Sequence, residues 1–272
     1  MNGILVVNHF LKGEKYSTLH SHLLDCARKK GIRLELKTNL ELALNKVNTD
    51  FVLFWDKDIS LARRLELQGL PVFNSARAIE LCDDKAKTYL ELLDTVSQPE
   101  TIIAPKTFFE EDLTEFAEAA AKVLGLPLVF KECFGSFGAQ VHLCKTVEEI
   151  TALATKRPFI LQKFVAESSG QDIRIEVVGG KAVAAVKRHN ADDFRSNVTN
   201  GGEMEPYIPT VQQAEIAVAA CKKLGLDFGG VDILMNNQVC EVNSNAHIIN
   251  LLNATGFDAA PLIFDMITEK IQ

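Results

Sequence analysis

Residues 229–245 read GGVDILMNNQVCEVNSN, with two apolar runs on either side of the polar turn 236–238. This pattern predicts a β-hairpin. Glu241 and Asn243 have the same parity and share a strand face, and Asp232 can lie across from them on the partner strand. Three converging oxygen-bearing side chains are ligands that suit Mg²⁺. A solvated polar face on an edge hairpin is the alternative interpretation.

Composition excludes several classes of protein. The chain has 272 residues and a formal net charge of -7, which gives no electrostatic footprint for nucleic acid. No polybasic run suggests an anionic membrane, and no apolar run approaches the roughly 18–20 residues that span a bilayer. The six cysteines are scattered without a Cys-x-x-Cys pair, which is typical of reduced thiols. We therefore expect a cytoplasmic protein with neither nucleic acid nor membrane as a partner.

The N-terminal part alternates predicted strands and helices. Ser17 is predicted to cap a helix that stops at Gly31. Alternation of this kind indicates an α/β layer with a mostly parallel sheet, whose ligands lie beyond the carboxyl ends of the strands. No Gly-x-Gly-x-x-Gly follows the first strand, which argues against dinucleotide binding. The predicted strands are residues 4–7, 32–36, 51–55 and 71–73.

A lysine ends the apolar strand predicted at residues 128–131. Lys131 is followed by a loop with small residues at Gly135, Ser136 and Gly138, whose backbone N–H groups can face an anion. A plain hairpin turn is the alternative. The pattern is not the Walker motif, so the usual nucleoside triphosphatase fold is not implied.

Three further segments carry polar residues in suggestive patterns. Residues 75–94 are predicted to form one helix with Lys85 in its middle. Residues 172–177 alternate charged and apolar side chains, which indicates a strand with one polar face. The segment 189–209 is predicted to be irregular, and a loop of about that length is more often functional or mobile than decorative.

Together these motifs resemble the ATP-grasp superfamily and, within it, the RimK-type alpha-L-glutamate ligases. The resemblance implies an α/β plus α+β fold, in which a parallel N-terminal domain precedes two α+β lobes that enclose ATP. The implied boundaries are residues 1–95, 96–165 and 166–272. The motifs that carry it are Lys131 with its glycine loop, Gln162-Lys163-Phe164-Val165, Asp172-Ile173-Arg174, Phe194-Arg195-Ser196-Asn197 with Gly201-Gly202, Gly230-Val231-Asp232-Ile233 and Glu241-Val242-Asn243.

The resemblance also implies residue roles. Phosphates would be touched by Lys85 and Lys131, adenine would lie against Lys163 and Phe164, and Asp172 would bind the nucleotide. Mg²⁺, or Mn²⁺ in its place, would be held by Asp232, Glu241 and Asn243. Ser196 would contact phosphate, and the implied catalytic residues are Arg188, Arg195 and Asn197. The remaining implied ATP-binding residues are Gly135, Ser136, Gly138, Gln162, Val165 and Arg174.

The implied activity is an ATP-dependent carboxylate-amine ligase that adds an amino acid such as glutamate to a protein, peptide or small-molecule acceptor. A phosphotransferase on the same scaffold is one alternative, and a nucleotide-binding protein without catalysis is another. RimK-type proteins often assemble from identical subunits, so the resemblance allows a homo-oligomer, although the sequence does not specify the oligomeric state. One departure from the family stands after the metal-binding asparagine, where Ser244-Asn245-Ala246-His247 replaces a Ser-Pro-Gly type turn. His247 could act as a base or a substrate contact, but a histidine in the first turn of a helix is more often structural.

Overall fold

The computed structural model describes residues 1–107, 111–135, 138–154, 157–197, 201–245 and 247–272, and the described strands form three sheets. The first sheet consists of β1 (Asn2–Val7), β2 (Arg33–Thr38), β3 (Phe51–Trp55) and β4 (Val72–Phe73). All its pairs are parallel, in the order β2-β1-β3-β4. Its helices are α1 (Glu14–Lys29), α2 (Asn39–Leu44) and α3 (Ile59–Leu67). The predicted parallel α/β layer is confirmed.

The first helix begins earlier than its sequence predicted. α1 follows Gly13, whose φ of 116° turns the backbone into the helix without a side-chain cap. Ser17 lies inside the helix, where its hydroxyl donates to the carbonyl oxygen of Glu14 at 3.0 Å. The prediction that Ser17 caps this helix is therefore wrong.

The segment after β4 forms two helices instead of the single one that was predicted. These are α4 (Ala76–Asp83) and α5 (Lys85–Leu92), separated by an extended Asp84. The Asp84 carboxylate accepts hydrogen bonds from the backbone N–H groups of Ala86 and Lys87 at 3.0 and 3.3 Å. Asp84 is thus an N-cap, and Lys85 opens α5 instead of lying in the middle of a helix.

The second sheet is antiparallel and has its own core. Its strands are β5 (Thr101–Ile103), β6 (Leu128–Glu132), β7 (Val141–Cys144) and β8 (Phe159–Lys163), in the order β5-β8-β6-β7. α6 (Thr114–Leu124) and α7 (Val147–Leu153) cover it. Phe130 and Phe159 stack at the centre of that core with ring centroids 4.6 Å apart.

The third sheet presents one apolar face and one charged face. Its strands are β9 (Gln171–Val178), β10 (Lys181–His189), β11 (Glu203–Pro206), β12 (Phe228–Ile233) and β13 (Val239–Asn243), in the order β11-β10-β9-β12-β13. Ile173, Ile175 and Val177 pack under α8 (Val211–Leu224). Asp172, Arg174 and Glu176 alternate with them and face the other way, as the sequence predicted.

The segment 189–209 is less irregular than predicted, because it contains β11. Four residues of β11 pair antiparallel with the end of β10, from Val186 opposite Pro206 to His189 opposite Glu203. Its proline is tolerated because β11 is the edge strand. Residues 190–197, which follow the last residue of β10, form neither helix nor strand.

The first and third sheets share a core. α9 (Ile248–Thr255) and α10 (Ala260–Ile271) pack with β1, β3 and the third sheet, and Trp55 stacks on Phe228 with ring centroids 5.2 Å apart. The fold class predicted from the sequence, α/β followed by two α+β parts, is confirmed. The boundaries at residues 95 and 165 stay a prediction. Among the described residues, no helix combines the length and apolar character needed to cross a bilayer.

Candidate active site

A cleft lies between the second sheet and the charged face of the third sheet, and most of the predicted site residues line it. The predicted residues that line the cleft are Lys85, Lys131, Gly135, Gly138, Gln162, Lys163, Phe164, Val165, Asp172, Arg188, Arg195, Ser196, Asn197, Asp232 and Glu241. Arg174 and Asn243 line a neighbouring cavity instead. Ser136 lies outside the described residues.

Lys131 is a buried lysine that joins the two sheets. Its Nζ donates to Gln162 Oε1 at 2.8 Å on β8 and lies 3.4 Å from Cys240 Sγ on β13. Gln162 is itself fixed, because its Nε2 donates to Thr101 Oγ1 at 2.9 Å. The lysine is only 6% exposed, so its ammonium is held rigidly at the floor of the cleft.

Sequence reasoning missed Cys240, which is half-buried in this floor and lies beside a register shift between the pairs Asp232–Glu241 and Ile233–Val239. Burial raises the pKa of the Cys240 thiol, so the neutral thiol faces the lysine. The adjoining apolar lining is formed by Val129 and Leu234. The only local signal of this register shift in the sequence is that the alternation of apolar and polar residues along β13 is interrupted at Cys240.

Lys85 lies between the glycine loop and the hairpin. Its backbone N–H donates to the Cys133 carbonyl oxygen at 3.0 Å, which ties the start of α5 to the segment after β6. Its Nζ is 3.7 Å from Glu241 Oε1. The break at Asp84 creates this position, because a single continuous helix would not begin there.

The hairpin has the geometry that its sequence predicted. Asp232 pairs with Glu241 and Gly230 with Asn243, so the three oxygen-bearing side chains share one face. Asn243 Nδ2 is buried without a hydrogen-bond partner among the described residues. Glu241 is one-third exposed toward the cleft.

Two arginines surround Asp232. Arg174 Nε and Nη2 donate to its Oδ1 and Oδ2 at 2.6 and 2.8 Å, and Arg188 Nη2 lies 2.8 Å from Oδ2. Burial alone would raise the pKa of Asp232, but the two guanidinium groups outweigh it and lower that pKa. The carboxylate is therefore ionised.

Arg188 extends this network to the loop after β10. Its Nε donates to Asp172 Oδ1 at 2.7 Å, and Ser196 Oγ donates to Asp172 Oδ2 at 2.6 Å. Burial alone would lower the pKa of Arg188, but Asp232 and Asp172 together raise it. Asp172 thus positions an arginine and a serine in the wall of the cleft.

The hairpin side chains supply the oxygen atoms of a candidate metal site. No group of three or more His, Cys, Asp or Glu residues able to hold a metal was found in the part of the chain that the structure describes. The hairpin instead offers two carboxylates and one amide, with Glu241 the most accessible. Such a set fits Mg²⁺, which binds through one or two carboxylates together with substrate phosphates. Both oxygens of Asp232 already accept hydrogen bonds, so Asp232 would have to share them with a metal.

Arg195 anchors the glycine loop. Its Nη1 donates to the Gly138 carbonyl oxygen at 2.7 Å, and its Nη2 lies 2.6 Å from Asp193 Oδ2. Phe194 packs edge-on against Phe164, with ring centroids 6.5 Å apart. The loop after β10 therefore contacts both the glycine loop and the predicted adenine wall.

A glycine is required where the loop after β10 joins β11. A Cβ on Gly202 would lie 2.4 Å from the carbonyl oxygen of Ser196, which is closer than van der Waals contact allows. Gly202 also donates its N–H to the Asn197 carbonyl oxygen at 3.2 Å. This close approach explains one glycine of the predicted Gly201-Gly202 pair.

A second cavity of about 350 Å³ adjoins the cleft and reaches the first sheet. Both cavities share Gly135, Arg188, Asn197 and Glu241 as lining residues. The far wall comes from the carboxyl ends of β1 and β3, as expected for parallel strands. Sequence reasoning missed most of the residues that line this cavity, among them Asn8, Trp55, Asp56, Asn245 and Asn250.

His247 lines the second cavity and precedes the first residue of α9. Neither ring nitrogen has a hydrogen-bond partner among the described residues, although both are buried. Burial lowers the pKa of His247 to about 4, so the ring is neutral near pH 7. A structural histidine would have its ring nitrogens satisfied, so this geometry favours a substrate contact over the structural role that the sequence favoured.

The geometry agrees with the comparisons with known proteins. A family model described as a RimK-like ATP-grasp domain matches residues 82–267. A probable alpha-L-glutamate ligase of Rhodopirellula baltica is 30% identical, over 94% of this chain and 69% of the relative. An uncharacterized MG012 homolog of Mycoplasma pneumoniae is 32% identical, over 83% of this chain and 85% of the relative.

Solved structures show the same fold. The D-cycloserine synthetase DcsG matches with a TM-score of 0.79 at 16% identity, covering 100% of each chain. A D-alanine–D-alanine ligase from Bacillus anthracis complexed with ATP has a TM-score of 0.76 at 18% identity, covering 100% of this chain and 97% of that one. The similarity to an ATP-grasp fold that the sequence suggested is therefore confirmed.

Proposed function

This chain belongs to the RimK-like ATP-grasp family, and on that premise we propose that it joins an amino acid such as glutamate to a carboxylate-bearing acceptor. The acceptor is a protein, a peptide or a small molecule, and the reaction forms an amide through an acyl phosphate. One observation carries this proposal. The nucleotide cleft and the second cavity meet at Arg188, Asn197 and Glu241, so a phosphoryl donor and two substrates can converge there.

The cleft suits ATP along its length. Phe164 and the neighbouring Val165 offer an apolar wall to adenine, and Lys163 lies at its exposed edge. Lys131 and Lys85 would hold the phosphates. The Lys131 ammonium is held by Gln162, and the Lys85 ammonium lies 3.7 Å from Glu241 Oε1. The glycine loop, tied by Arg195, would cover the phosphates and exclude water.

The hairpin would hold Mg²⁺, with Mn²⁺ able to take its place. Glu241 and Asn243 would supply a carboxylate and an amide oxygen, and Asp232 would share its oxygens with the metal. Once bound, the metal would neutralise phosphate charge beside the transferring group. Positioning and charge neutralisation are the main requirements of phosphoryl transfer.

The proposed reaction balances in two steps. The γ-phosphoryl group of ATP moves to an oxygen of the acceptor carboxylate, which yields ADP and makes the carbonyl carbon electrophilic. The substrate amine then attacks that carbon, loses a proton and expels inorganic phosphate. Arg188, Arg195 and Asn197 line the cleft and would contact the transferring group, because planar guanidinium groups match its developing charge.

Residues 1–95, 96–165 and 166–272 would form three domains, each built around one sheet. The substrate would bind between the first and third domains, and ATP would bind between the second and third. A cytoplasmic location is supported by six cysteines that are all free thiols. Assembly into a homo-oligomer is proposed from the family resemblance alone.

An ADP-release screen tests the proposal. Wild-type protein is incubated with ATP and Mg²⁺ across the protein amino acids, each with peptide and small-acid acceptors. We expect release of ADP and inorganic phosphate that depends on both acceptor and amine. Phosphate that remains on an isolated product without the amine would instead show a phosphotransferase, and AMP with pyrophosphate would contradict the proposal.

A further inference from the structure

Asp56 follows β3 and lines the second cavity, yet its two carboxylate oxygens have unequal surroundings. Oδ1 accepts hydrogen bonds from Asn8 Nδ2 at 3.0 Å and from the Lys57 backbone N–H at 2.7 Å. Oδ2 is buried and has no hydrogen-bond partner among the described residues. The whole residue is only 5% exposed. One oxygen is thus anchored and the other is left without a partner in the wall of a cavity.

An unpartnered buried carboxylate oxygen is costly. Native proteins pair most buried polar atoms, and a charged group left unsatisfied costs more than a neutral one. Burial raises the pKa of Asp56, which reflects that cost. The cost disappears when a ligand supplies a donor to Oδ2.

A second unpartnered acceptor is held at the same place. Asn245 Nδ2 donates to the backbone carbonyl oxygen of Asp56 at 3.0 Å, which fixes the amide beside that residue. Asn245 Oδ1 is buried and lacks a hydrogen-bond partner in the described structure. Both residues line the cavity. Two acceptors from opposite sheets are therefore available to one donor-rich group.

The other walls of the cavity supply donors. Asn243 Nδ2 is buried without a partner in the described part of the chain, and a neutral His247 offers one ring N–H. Lys15 adds a positive charge to the lining. These groups match a carboxylate, whereas Asp56 and Asn245 match an ammonium. The cavity thus carries complementary groups for both ends of a zwitterion.

We propose that the second cavity binds an α-amino acid substrate and that Asp56 Oδ2 is the acceptor for its ammonium group. The inference rests on the proposed ligase function, since it names the wall that receives one of the two substrates. A carboxylate and an amide oxygen together satisfy two of the three N–H bonds of an ammonium group. Asn8 is a positioning residue, because its Nδ2 holds Asp56 Oδ1. Asn245 holds the Asp56 carbonyl oxygen through Nδ2 and offers Oδ1 to the ligand.

The test compares the wild type with Asp56→Asn. The change keeps the size and the hydrogen bonds at Oδ1, but it replaces the free acceptor oxygen with a donor. Loss of one hydrogen bond to a charged group corresponds to a rise of about 10- to 100-fold in the KM for the amino acid. The KM for ATP should not change. Thermal stability should be equal or higher, because the variant removes a buried charge.

Asp50→Asn is the matched control, since Asp50 is an exposed carboxylate at the opposite end of β3. We expect this control to keep wild-type KM values. A wild-type KM for the amino acid in Asp56→Asn, with ADP release intact, would overturn the site and leave the proposed function standing.

If the ADP-release screen finds no turnover, a direct binding measurement tests the amino-acid site independently of the proposed ligase activity. Isothermal titration compares L-glutamate with glutarate, which lacks only the amino group, and repeats the comparison for each other protein amino acid and its des-amino acid. We expect wild-type protein to bind an amino acid at least about tenfold more tightly than its des-amino acid, and Asp56→Asn to lose that preference. Equal binding of both compounds, or no binding of any amino acid, would overturn the inference.

Discussion

Arg174 grips Asp232 with two parallel hydrogen bonds, from Nε to Oδ1 at 2.6 Å and from Nη2 to Oδ2 at 2.8 Å. The two residues face each other across β9 and β12, and the aspartate side chain is only 3% exposed. The Asp232 carboxylate therefore stabilises the fold through this ion pair, in addition to any role it has in binding a metal.

Asp232→Asn should destabilise the protein. The change leaves Arg174 and Arg188 buried with one negative charge fewer, and breaking a buried ion pair from one side costs about 3–5 kcal/mol. Urea denaturation followed by circular dichroism measures the loss. A wild-type unfolding midpoint would show that the arginines do not depend on this carboxylate.

Glu241→Gln should lower turnover without lowering stability. Glu241 is more exposed than Asp232 and contacts only Lys85 among the ion pairs of the described residues, so its charge is available to a metal. Raising Mg²⁺ should rescue Asp232→Asn in part and Glu241→Gln little. ADP release is measured against Mg²⁺ concentration for both variants, with Glu205→Gln on β11 as the surface control. Wild-type activity of Glu241→Gln at low millimolar Mg²⁺ would remove the hairpin as the metal site.

Arg195→Lys should lower kcat by about 10²- to 10³-fold, the usual effect of removing one charge-stabilising donor. A lysine keeps the charge but cannot bridge Asp193 and the Gly138 carbonyl oxygen with a planar fork. Steady-state kinetics should show little change in the KM for ATP. An unchanged kcat would mean that the arginine serves only to hold the loop.

Glu176 should make stability depend on pH. Burial, as the largest effect, raises its pKa to about 7, with Asp232 acting in the same direction and Arg174 and Arg188 opposing it. In the folded protein the pKa of Glu176 lies above its value in the unfolded chain. The contribution of Glu176 to the free energy of unfolding is therefore fully present below about pH 4.5 and is lost as the pH rises to about 7. Glu176→Gln is permanently neutral, so its free energy of unfolding should equal that of the wild type near pH 4.5. Above pH 7 its free energy of unfolding should be about 3 kcal/mol higher than that of the wild type.

Denaturation midpoints of both proteins between pH 5 and pH 8 test this expectation. The difference should grow with pH and then level off. Equal midpoints at every pH would mean that Glu176 ionises as readily in the folded protein as in the unfolded chain.

Local pattern was sufficient for much of this fold. The alternation in β9 placed Asp172 and Arg174 on one face because a strand has a period of two, and the same parity placed Glu241 and Asn243 on one face of the hairpin. The break at Asp84 was missed because both flanking segments favour helix, although an aspartate is a common N-cap. β11 was missed because an edge strand of four residues depends on its pairing with β10.

The sequence predicted most residues of the cleft but few of the residues that line the second cavity. Lys131 and the hairpin carry local signals, such as a charged residue at the end of an apolar strand. Asp56 also follows an apolar strand, but it becomes part of a cavity only when the first sheet packs against the third through Trp55 and Phe228. That packing joins residues more than 170 positions apart in the chain, and a single sequence does not disclose it.

The fate of the acceptor oxygen tests the central claim most directly. An acceptor that supports ADP release is prepared with ¹⁸O in its carboxylate and incubated with ATP, Mg²⁺ and the amine, and the released phosphate is analysed by mass spectrometry. An acyl phosphate transfers one labelled oxygen to inorganic phosphate, so we expect singly labelled phosphate in amounts equal to the amide formed. Unlabelled phosphate beside the amide, or label found in AMP, would contradict the account.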